Sequence, residues 1–215
     1  DVITANKALL ATHGDEIFEE ARKQNRSVFF EASVAGGIPV IKALREGLAG
    51  NQISKISGIL NGTCNYILSA MHKTPLSFAE ALKNAQQLGY AEADPTFDIE
   101  GLDSGHKLSI LTSLAFGVPF HFDITAVEGI KGISSLDIQF AQKLGFVVKL
   151  LATVEKINDR LAYQVAPTLI PQNSILAQVS SRRRCWQNPL LRSRRRRRSY
   201  RQCGSCRRYR YCQRT

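Results

Sequence analysis

Long hydrophobic runs are missing from this 215-residue sequence, and none approaches the length of a membrane-spanning helix. Cysteine is nearly missing from the first 181 residues, where Cys64 stands alone, while the other four cysteines follow residue 181. A single cysteine over that length excludes a disulfide framework and indicates a reducing compartment. We therefore expect a cytoplasmic protein with no membrane partner.

An initiator methionine and a signal region are also missing, because the chain opens with Asp1 and continues directly into the apolar residues Val2 and Ile3. This start predicts that the chain begins inside a domain and is a fragment of a longer protein. Its length suffices to bury one sizeable core, or one core and part of another.

Acidic residues are missing from residues 182–215, which hold fourteen arginines and no lysine. Residues 1–181 hold the other fifteen Lys and Arg residues and all eighteen acidic residues, and so carry a net charge of −3. The formal charge of +11 therefore belongs to the C-terminal segment. The mildly acidic remainder of the chain gives no reason to expect nucleic acid as its partner.

The apolar pattern of the first 33 residues predicts a strand, a helix and a second strand. Residues 2–6 look like the end of a buried strand, residues 15–25 carry the apolar face of a helix, and residues 27–33 form the second strand. This order is typical of the end of a doubly wound α/β domain.

Periodicity and capping signals predict further elements in the rest of the chain. These are a half-buried strand at 52–60, a helix within NGTCNYILSAMH, a capping box of Ser77 and Glu80 before the next helix, a helix from Leu102 to Phe116, and a hairpin of residues 146–155 and 161–166.

Residues 89–107, GYAEADPTFDIEGLDSGHK, carry five carboxylates and end on Lys107. In one interpretation Asp94 and Pro95 stop a helix, Asp103 and Lys107 form an ordinary surface ion pair, and the rest is solvated loop. In the other, interleaved apolar residues pack against the protein and fix the carboxylates, which then need a cation such as the ammonium group of a small substrate. The spacing alone favours the first interpretation.

The same stretch resembles the signature of homoserine dehydrogenases, which favours the second interpretation. The similarity also covers the segments VITANKALL, FFEASVAGGIPV and GILNGTCNYIL, and so extends over essentially all of residues 2–181. It implies an oxidoreductase that interconverts L-aspartate 4-semialdehyde and L-homoserine with NADP or NAD, on the route to threonine, methionine and isoleucine. The matched signature positions are Ala85, Gly89, Tyr90, Asp94, Pro95, Asp98, Ile99, Gly101, Asp103 and Lys107.

The resemblance implies two catalytic lysines. Lys107 matches the proposed acid/base of the family, and Lys7 matches a second lysine near both cofactor and substrate, with Thr4 as a further cofactor contact. An unperturbed lysine has a pKa of about 10.4, and a carboxylate such as Asp103 favours its charged form. We therefore expect Lys107 to be protonated and to act as the acid.

The resemblance also implies a set of substrate-binding residues. Glu92 is the expected partner of the substrate ammonium, and Asp103 is expected to position Lys107. From the residue pattern alone, Thr63 would be the start of a helix and Tyr90 would lie at the edge of a core. The full set is Glu92, Asp98, Asp103, Thr63 and Tyr90.

The loop EASVAGGI resembles the monovalent cation site of the family. The resemblance implies that sodium is ligated by Glu31 and by the backbone carbonyls of Val34, Gly36 and Ile38. Oxygen ligands suit a hard cation, and glycines let the carbonyls converge. Without the resemblance, this segment is a tight turn; with it, the implied role is to fix the hinge between two domains.

The glycine-rich turn that binds the dinucleotide pyrophosphate in a Rossmann unit is missing from the sequence. We expect this turn to lie upstream of residue 1. This chain should therefore bind its cofactor poorly and be inactive alone.

The resemblance ends after Ser181, and the segment 182–215 has three interpretations. It is an arginine-rich arm that binds nucleic acid, a zinc site built on Cys203 and Cys206, or the product of a frameshift. A lone CxxC is weak evidence for zinc. Codons for RQCGSC, read one base later, encode residues compatible with a stretch of the family, which favours the frameshift.

The sequence thus predicts an α/β remnant of a Rossmann domain (1–31), an α+β substrate and dimerisation domain with a mixed sheet covered by helices (32–181), and an aberrant tail (182–215). The resemblance implies a homodimer or homotetramer that pairs through the sheet. Two rival functions stay open: a nucleic-acid-binding module carried by the tail, and a non-catalytic dimerisation protein of the same fold.

Overall fold

The computed structural model of the chain describes residues 1–122 and 126–179. The predictions for the segment 182–215 therefore lie outside the described residues. No helix within the described ranges combines the length and apolar composition that a membrane crossing needs. The strands are β1 (Val2–Ile3), β2 (Val28–Phe29), β3 (Lys55–Gly58), β4 (Ala126–Val127), β5 (Phe146–Ile157) and β6 (Arg160–Pro171); the helices are α1 (Lys7–Lys23), α2 (Val40–Lys42), α3 (Gly62–Lys73), α4 (Phe78–Gln87), α5 (Thr96–Ile99), α6 (Leu102–Phe116), α7 (Ser135–Lys143) and α8 (Ile175–Gln178).

The first sheet pairs β1 and β2 in parallel, and α1 connects them. The prediction of a buried strand at residues 2–6 is wrong, because Val2 is 55% exposed and Ile3 is 82% exposed. In the described chain this sheet has only two strands of two residues each. A sheet of this size is too small to bury either strand. The predicted second strand is also shorter than expected, since a 3₁₀ turn begins at Glu31.

Helix α1 begins eight residues before the predicted helix at residue 15. It starts at Lys7 because the side chain of Asn6 accepts a hydrogen bond from the N–H of Leu9 at 3.1 Å. The helix departs from helical geometry at His13, where φ is −127°, and continues to Lys23. Its N-terminus therefore lies just after β1.

The second sheet has the strand order β3-β5-β6-β4 and is mixed. The strands β3, β5 and β6 are antiparallel neighbours, and β4 is parallel to β6. The predicted hairpin is confirmed, and its two-residue turn places Asn158 at φ 47° and Asp159 at φ 61°. Positive φ at both positions is the geometry that lets a short turn join two twisted strands.

The described chain buries its apolar residues in two clusters. The larger cluster joins β5 and β6 to α3, α4, α6 and α7, and contains Leu108 of α6. The smaller cluster joins α1, β2 and α2 to the other side of α6 through Ile110 and Leu111. The predicted helix from Leu102 to Phe116 is confirmed, and it is buried by elements from both regions. The domain boundary at residues 31 and 32 stays a prediction.

Candidate active site

The first turns of α6 carry the predicted pair of Asp103 and Lys107. The Lys107 ammonium donates to Asp103 Oδ2 at 2.6 Å and to the carbonyl of Leu60 at 2.9 Å. The side chains of Asp103 and Lys107 are 5% and 18% exposed. The interpretation of this pair as an ordinary surface ion pair is therefore wrong.

Lys7, the second predicted lysine, reaches the same carboxylate from α1. Its Nζ lies 3.2 Å from Asp103 Oδ1 and 5.7 Å from the centre of the Phe97 ring. The two lysines come from elements far apart in sequence, and the packing of α1 against α6 brings them together. Asp103 thus lies between two ammonium groups.

The electrostatic balance at Asp103 favours the ionised carboxyl. Burial alone would raise its pKa, but Lys107 through charge and hydrogen bonding, the hydrogen bond from Asn61 and the charge of Lys7 together outweigh burial and hold the pKa below its usual value. Asp103 is therefore a carboxylate at neutral pH, and it pairs with the ammonium form of Lys107.

Asn61 joins this cluster, although the sequence analysis did not identify it as a site residue. Its Oδ1 accepts the N–H of Cys64 at 2.8 Å and caps α3. Its Nδ2 donates to Asp98 Oδ1 at 2.6 Å and to Asp103 Oδ2 at 2.9 Å. An asparagine just before a helix can be recognised in the sequence as a capping signal. Its contacts with residues 37 and 42 positions away cannot be recognised there.

Asp98 is held by neutral groups. Besides the bond from Asn61, its Oδ2 lies 2.9 Å from the hydroxyl of Thr63, which also lies 2.8 Å from the carbonyl of Tyr90. The Tyr90 ring stacks on Tyr66 with centroids 4.5 Å apart. The predicted residues Lys7, Thr63, Asp98, Asp103 and Lys107 thus form one cluster, with the backbone of Tyr90 at its edge. It places a fixed carboxylate and a proton-bearing lysine side by side.

Glu92 and Thr4 lie apart from the contacts of this cluster. Glu92 is exposed, and among the described residues no side-chain contact joins it to the cluster; its carbonyl accepts from Gln86 at 3.2 Å. Thr4 follows β1, and its hydroxyl oxygen accepts the N–H of Asn6 at 3.0 Å. The predicted roles of Glu92 and Thr4 stay predictions.

Two other polar side chains adjoin the site. Burial raises the pKa of the Cys64 thiol, and the charges of Asp98 and Asp103 raise it further, so this thiol is a poor nucleophile. Burial lowers the pKa of His106, whose ring meets Phe97 and Phe122 edge-on with centroids 5.2 Å and 4.2 Å away. Both groups are therefore neutral at physiological pH.

The carboxylate of Glu31, the predicted sodium ligand, lies at the start of α2. Its two oxygens accept the N–H groups of Ile41 at 3.0 Å and Lys42 at 2.9 Å. Each carboxylate oxygen has a second lone pair, so these bonds leave capacity for a cation.

The three backbone carbonyls of the predicted sodium site differ in their bonding. The carbonyl of Ile38 accepts the N–H of Val40 at 2.8 Å, whereas the carbonyls of Val34 and Gly36 accept no hydrogen bond within the described chain. Carbonyl oxygens that accept no hydrogen bond, together with a carboxylate, are ligands that suit a hard cation such as sodium. The donor set therefore fits the predicted ion.

Comparisons with known proteins identify the family of the chain. The homoserine dehydrogenase family model matches residues 39–187. The chain is similar to the homoserine dehydrogenase of Neisseria gonorrhoeae, with 56% identity over 178 residues, and to that of Pseudomonas aeruginosa, with 52% identity over 179 residues. Each match covers 83% of this chain and 41% of the relative, so the chain spans about two fifths of the length of these proteins.

Solved structures show the same similarity. A homoserine dehydrogenase from Thiobacillus denitrificans matches with a TM-score of 0.81 and 50% identity, over 83% of this chain and 41% of that chain. A hyperthermophilic archaeal homoserine dehydrogenase mutant, solved in complex with NADPH, matches with a TM-score of 0.69 and 29% identity, over 84% of this chain and 51% of that one. These findings support neither a nucleic-acid-binding module nor a non-catalytic dimerisation protein. The family model, the relatives and the solved structures together show that the chain belongs to the homoserine dehydrogenase family.

Proposed function

We propose that this chain carries the substrate site of a homoserine dehydrogenase, which interconverts L-aspartate 4-semialdehyde and L-homoserine in threonine, methionine and isoleucine biosynthesis. The observation that carries this proposal is the partly buried Lys107 ammonium, which lies 2.6 Å from Asp103 and is joined through Asp103 and Asn61 to Asp98. Membership of the family supports the reaction, and the cluster supports the residue roles.

Lys107 is the proton donor in the reducing direction. A bound nicotinamide cofactor would supply the hydride that reduces the aldehyde carbon. Lys107 gives a proton to the carbonyl oxygen, which becomes the hydroxyl of homoserine. In the oxidising direction, the neutral amine of Lys107 takes the hydroxyl proton back. Asp103 and the carbonyl of Leu60 hold two N–H groups of the ammonium, which leaves the third for the substrate oxygen.

Asp98 and Glu92 supply negative charge for the ammonium group of the substrate. Asp98 is fixed by Asn61 and contacts the hydroxyl of Thr63, whose single hydrogen it shares with the Tyr90 carbonyl. Glu92 is exposed and can close on the ligand from the surface. A fixed carboxylate and an exposed carboxylate together hold the ammonium without a change in the buried cluster.

NADP or NAD would be held at the turn between β1 and α1. Thr4 and Lys7 lie in this turn, at the carboxyl end of a parallel strand and the start of a helix, where open α/β sheets bind dinucleotides. Lys7 also reaches Asp103, so the same side chain adjoins cofactor and substrate. Sodium at Glu31, Val34, Gly36 and Ile38 would brace the segment that leads from β2 to α2.

The protein is further proposed to act as a homodimer or homotetramer in the cytoplasm. The mixed sheet β3-β5-β6-β4 is the surface through which the subunits would pair. The free, buried thiol of Cys64 is compatible with a reducing compartment.

A chimaeric enzyme tests the proposed function. The 178 matched residues of this chain replace those of the Neisseria gonorrhoeae relative, and oxidation of L-homoserine is followed by the absorbance of reduced cofactor. We expect the chimaera to turn over, and Lys107→Ala to lower kcat about 10²- to 10⁴-fold, because the proton donor is lost.

The control for this test is Lys131→Ala, which removes an exposed lysine that lies 3.9 Å from Glu100. It should leave turnover unchanged. Near-normal turnover of the Lys107→Ala chimaera would contradict the role of Lys107, and a folded but inactive chimaera would contradict the proposed function.

A further inference from the structure

Asn61 occupies the space between two carboxylates of the site, the buried Asp103 and the partly buried Asp98. It is 3% exposed, and its Nδ2 lies 2.6 Å from Asp98 and 2.9 Å from Asp103. The orientation of its amide is determined by Cys64, whose backbone N–H requires an acceptor and faces Oδ1 at 2.8 Å. Both hydrogens of Nδ2 therefore point to carboxylates.

The two carboxylates differ in their counter-charges. Asp103 lies within 3.2 Å of Lys7 and 2.6 Å of Lys107, so its charge is balanced. Asp98 receives hydrogen bonds from Asn61 and Thr63, and no cation contacts it within the described ranges. Asp98 is therefore the carboxylate of the buried cluster whose charge is left for a ligand.

A continuous chain of short contacts links Asp98 to Lys107. Asp98 contacts Asn61 at 2.6 Å, Asn61 contacts Asp103 at 2.9 Å, and Asp103 contacts Lys107 at 2.6 Å. Without Asn61, no residue in this series of contacts would join the two carboxylates. Asn61 can therefore hold Asp98 and Lys107, the two ends of this series of contacts, at a fixed separation.

We propose that Asn61 is a positioning residue that fixes the separation between Asp98 and Lys107, and thereby sets the length of the amino alcohol or amino aldehyde that the site accepts. This inference rests on the proposed function, in which Asp98 meets the ammonium of the ligand and Lys107 meets the oxygen at its other end. On this proposal, a ligand with one methylene fewer than homoserine would meet only one of the two groups.

The variant that tests this inference is Asn61→Ser. Serine is as good a helix cap as asparagine, and it adds no charge, but its side chain is too short to reach both carboxylates. The matched control is Ser77→Asn, the reverse exchange at the cap of α4, where Ser77 bonds Glu80. Ser77→Asn should unfold close to the temperature of the unaltered chain, whereas Asn61→Ser should unfold at a lower temperature, because two carboxylates each lose a hydrogen bond.

Calorimetric titration of the 215-residue chain with L-homoserine and with L-serine measures the preference between ligands of different length. We expect the unaltered chain and Ser77→Asn to prefer homoserine. Asn61→Ser should weaken homoserine binding about 5- to 30-fold, about the effect of one hydrogen bond, because Asp98 loses the contact that fixes its position, and should narrow the preference over serine. An unchanged preference in Asn61→Ser overturns the inference.

Nuclear magnetic resonance separates this inference from the proposed function. In the unaltered chain, the Nδ2 resonance of Asn61 should shift as Asp103 titrates, and Asn61→Ser should raise the pKa of Asp103, since a hydrogen bond to its charged form is lost. Failure of the unaltered chain to bind homoserine would refute the proposed function. An Asn61 resonance that does not shift with the titration of Asp103 would refute the positioning role, and this measurement needs no variant to fold.

Discussion

At Asp103, burial and ion pairing act on the carboxyl in opposite directions. Pairing prevails, so the pKa of Asp103 lies below its usual value. A carboxyl with a lowered pKa in the folded state contributes stability that is present above its unfolded pKa of about 3.9, and that is lost as the pH falls through the lower folded pKa. The pairing that positions Lys107 is thus also a source of acid-sensitive stability.

The variant Asp103→Asn should be less stable than the unaltered chain by about 2 to 4 kcal/mol at pH 7, because Lys7 and Lys107 lose their counter-charge. Urea unfolding between pH 2 and pH 7 measures this difference, which should shrink once Asp103 itself is protonated. The exposed-acid control Glu100→Gln should show little difference at any pH. A pH-independent difference for Asp103→Asn would contradict the ion-pair account.

At the scale of elements, Lys149 of β5 joins three parts of the chain. Its ammonium donates to Asn65 at 2.7 Å and Ser69 at 3.0 Å on α3, and to the carbonyl of Val179 at 2.8 Å. Burial, with a smaller effect of Lys73, lowers the pKa of Lys149 to about 8. Strand β5, helix α3 and the segment after α8 are therefore held by one buried cation.

The folded pKa of Lys149 is lower than the unfolded value of about 10.4, so the unfolded chain binds more protons between these values. Stability should therefore rise by about 2 kcal/mol as the pH increases from 8 to 10.5, because the buried charge is removed. Lys149→Met should lack this rise, whereas Lys55→Met, on the exposed side of β3, should retain it. If the free energy of unfolding changed with pH in the same way for the unaltered chain and Lys149→Met, this prediction would be contradicted.

The elements also show what periodicity and capping can predict. Helix α6 could be predicted because glycines flank it, with Gly101 at φ 82° and Gly117 at φ 66°, and the capping box of Ser77 is a purely local signal. The start of α1 was missed because its cap, Asn6, lies in a stretch whose apolar residues resemble a strand. The contacts of Asn61 could not be predicted, since they depend on tertiary packing of α3 against α5 and α6.

At the scale of the whole molecule, α6 connects the two buried clusters of the described chain. Leu108 lies in the cluster of the mixed sheet, while Ile110 lies in the cluster around α1, and both are fully buried. The site is formed where these regions meet, because Lys7 belongs to one and Asp98 to the other. Relative placement of the site residues therefore depends on α6.

The matched variants Leu108→Ala and Ile110→Ala should each lower stability by about 2 to 5 kcal/mol, the usual effect of deleting a buried aliphatic side chain. Because both act through α6, each should weaken hydrogen-exchange protection in both α1 and β5. Calorimetry should show one unfolding transition for these regions. Two transitions, with each variant affecting only one, would show that α6 does not couple the clusters.

The central claim is that Asp98 holds the ammonium of a small substrate while Lys107 meets the oxygen at its other end. A crystal structure of the chain soaked with L-homoserine tests this most directly. The account predicts the ammonium within about 3 Å of Asp98 and the hydroxyl within about 3 Å of Lys107, as hydrogen bonding requires. Homoserine bound elsewhere, or residues 92–107 extended into solvent, would contradict it.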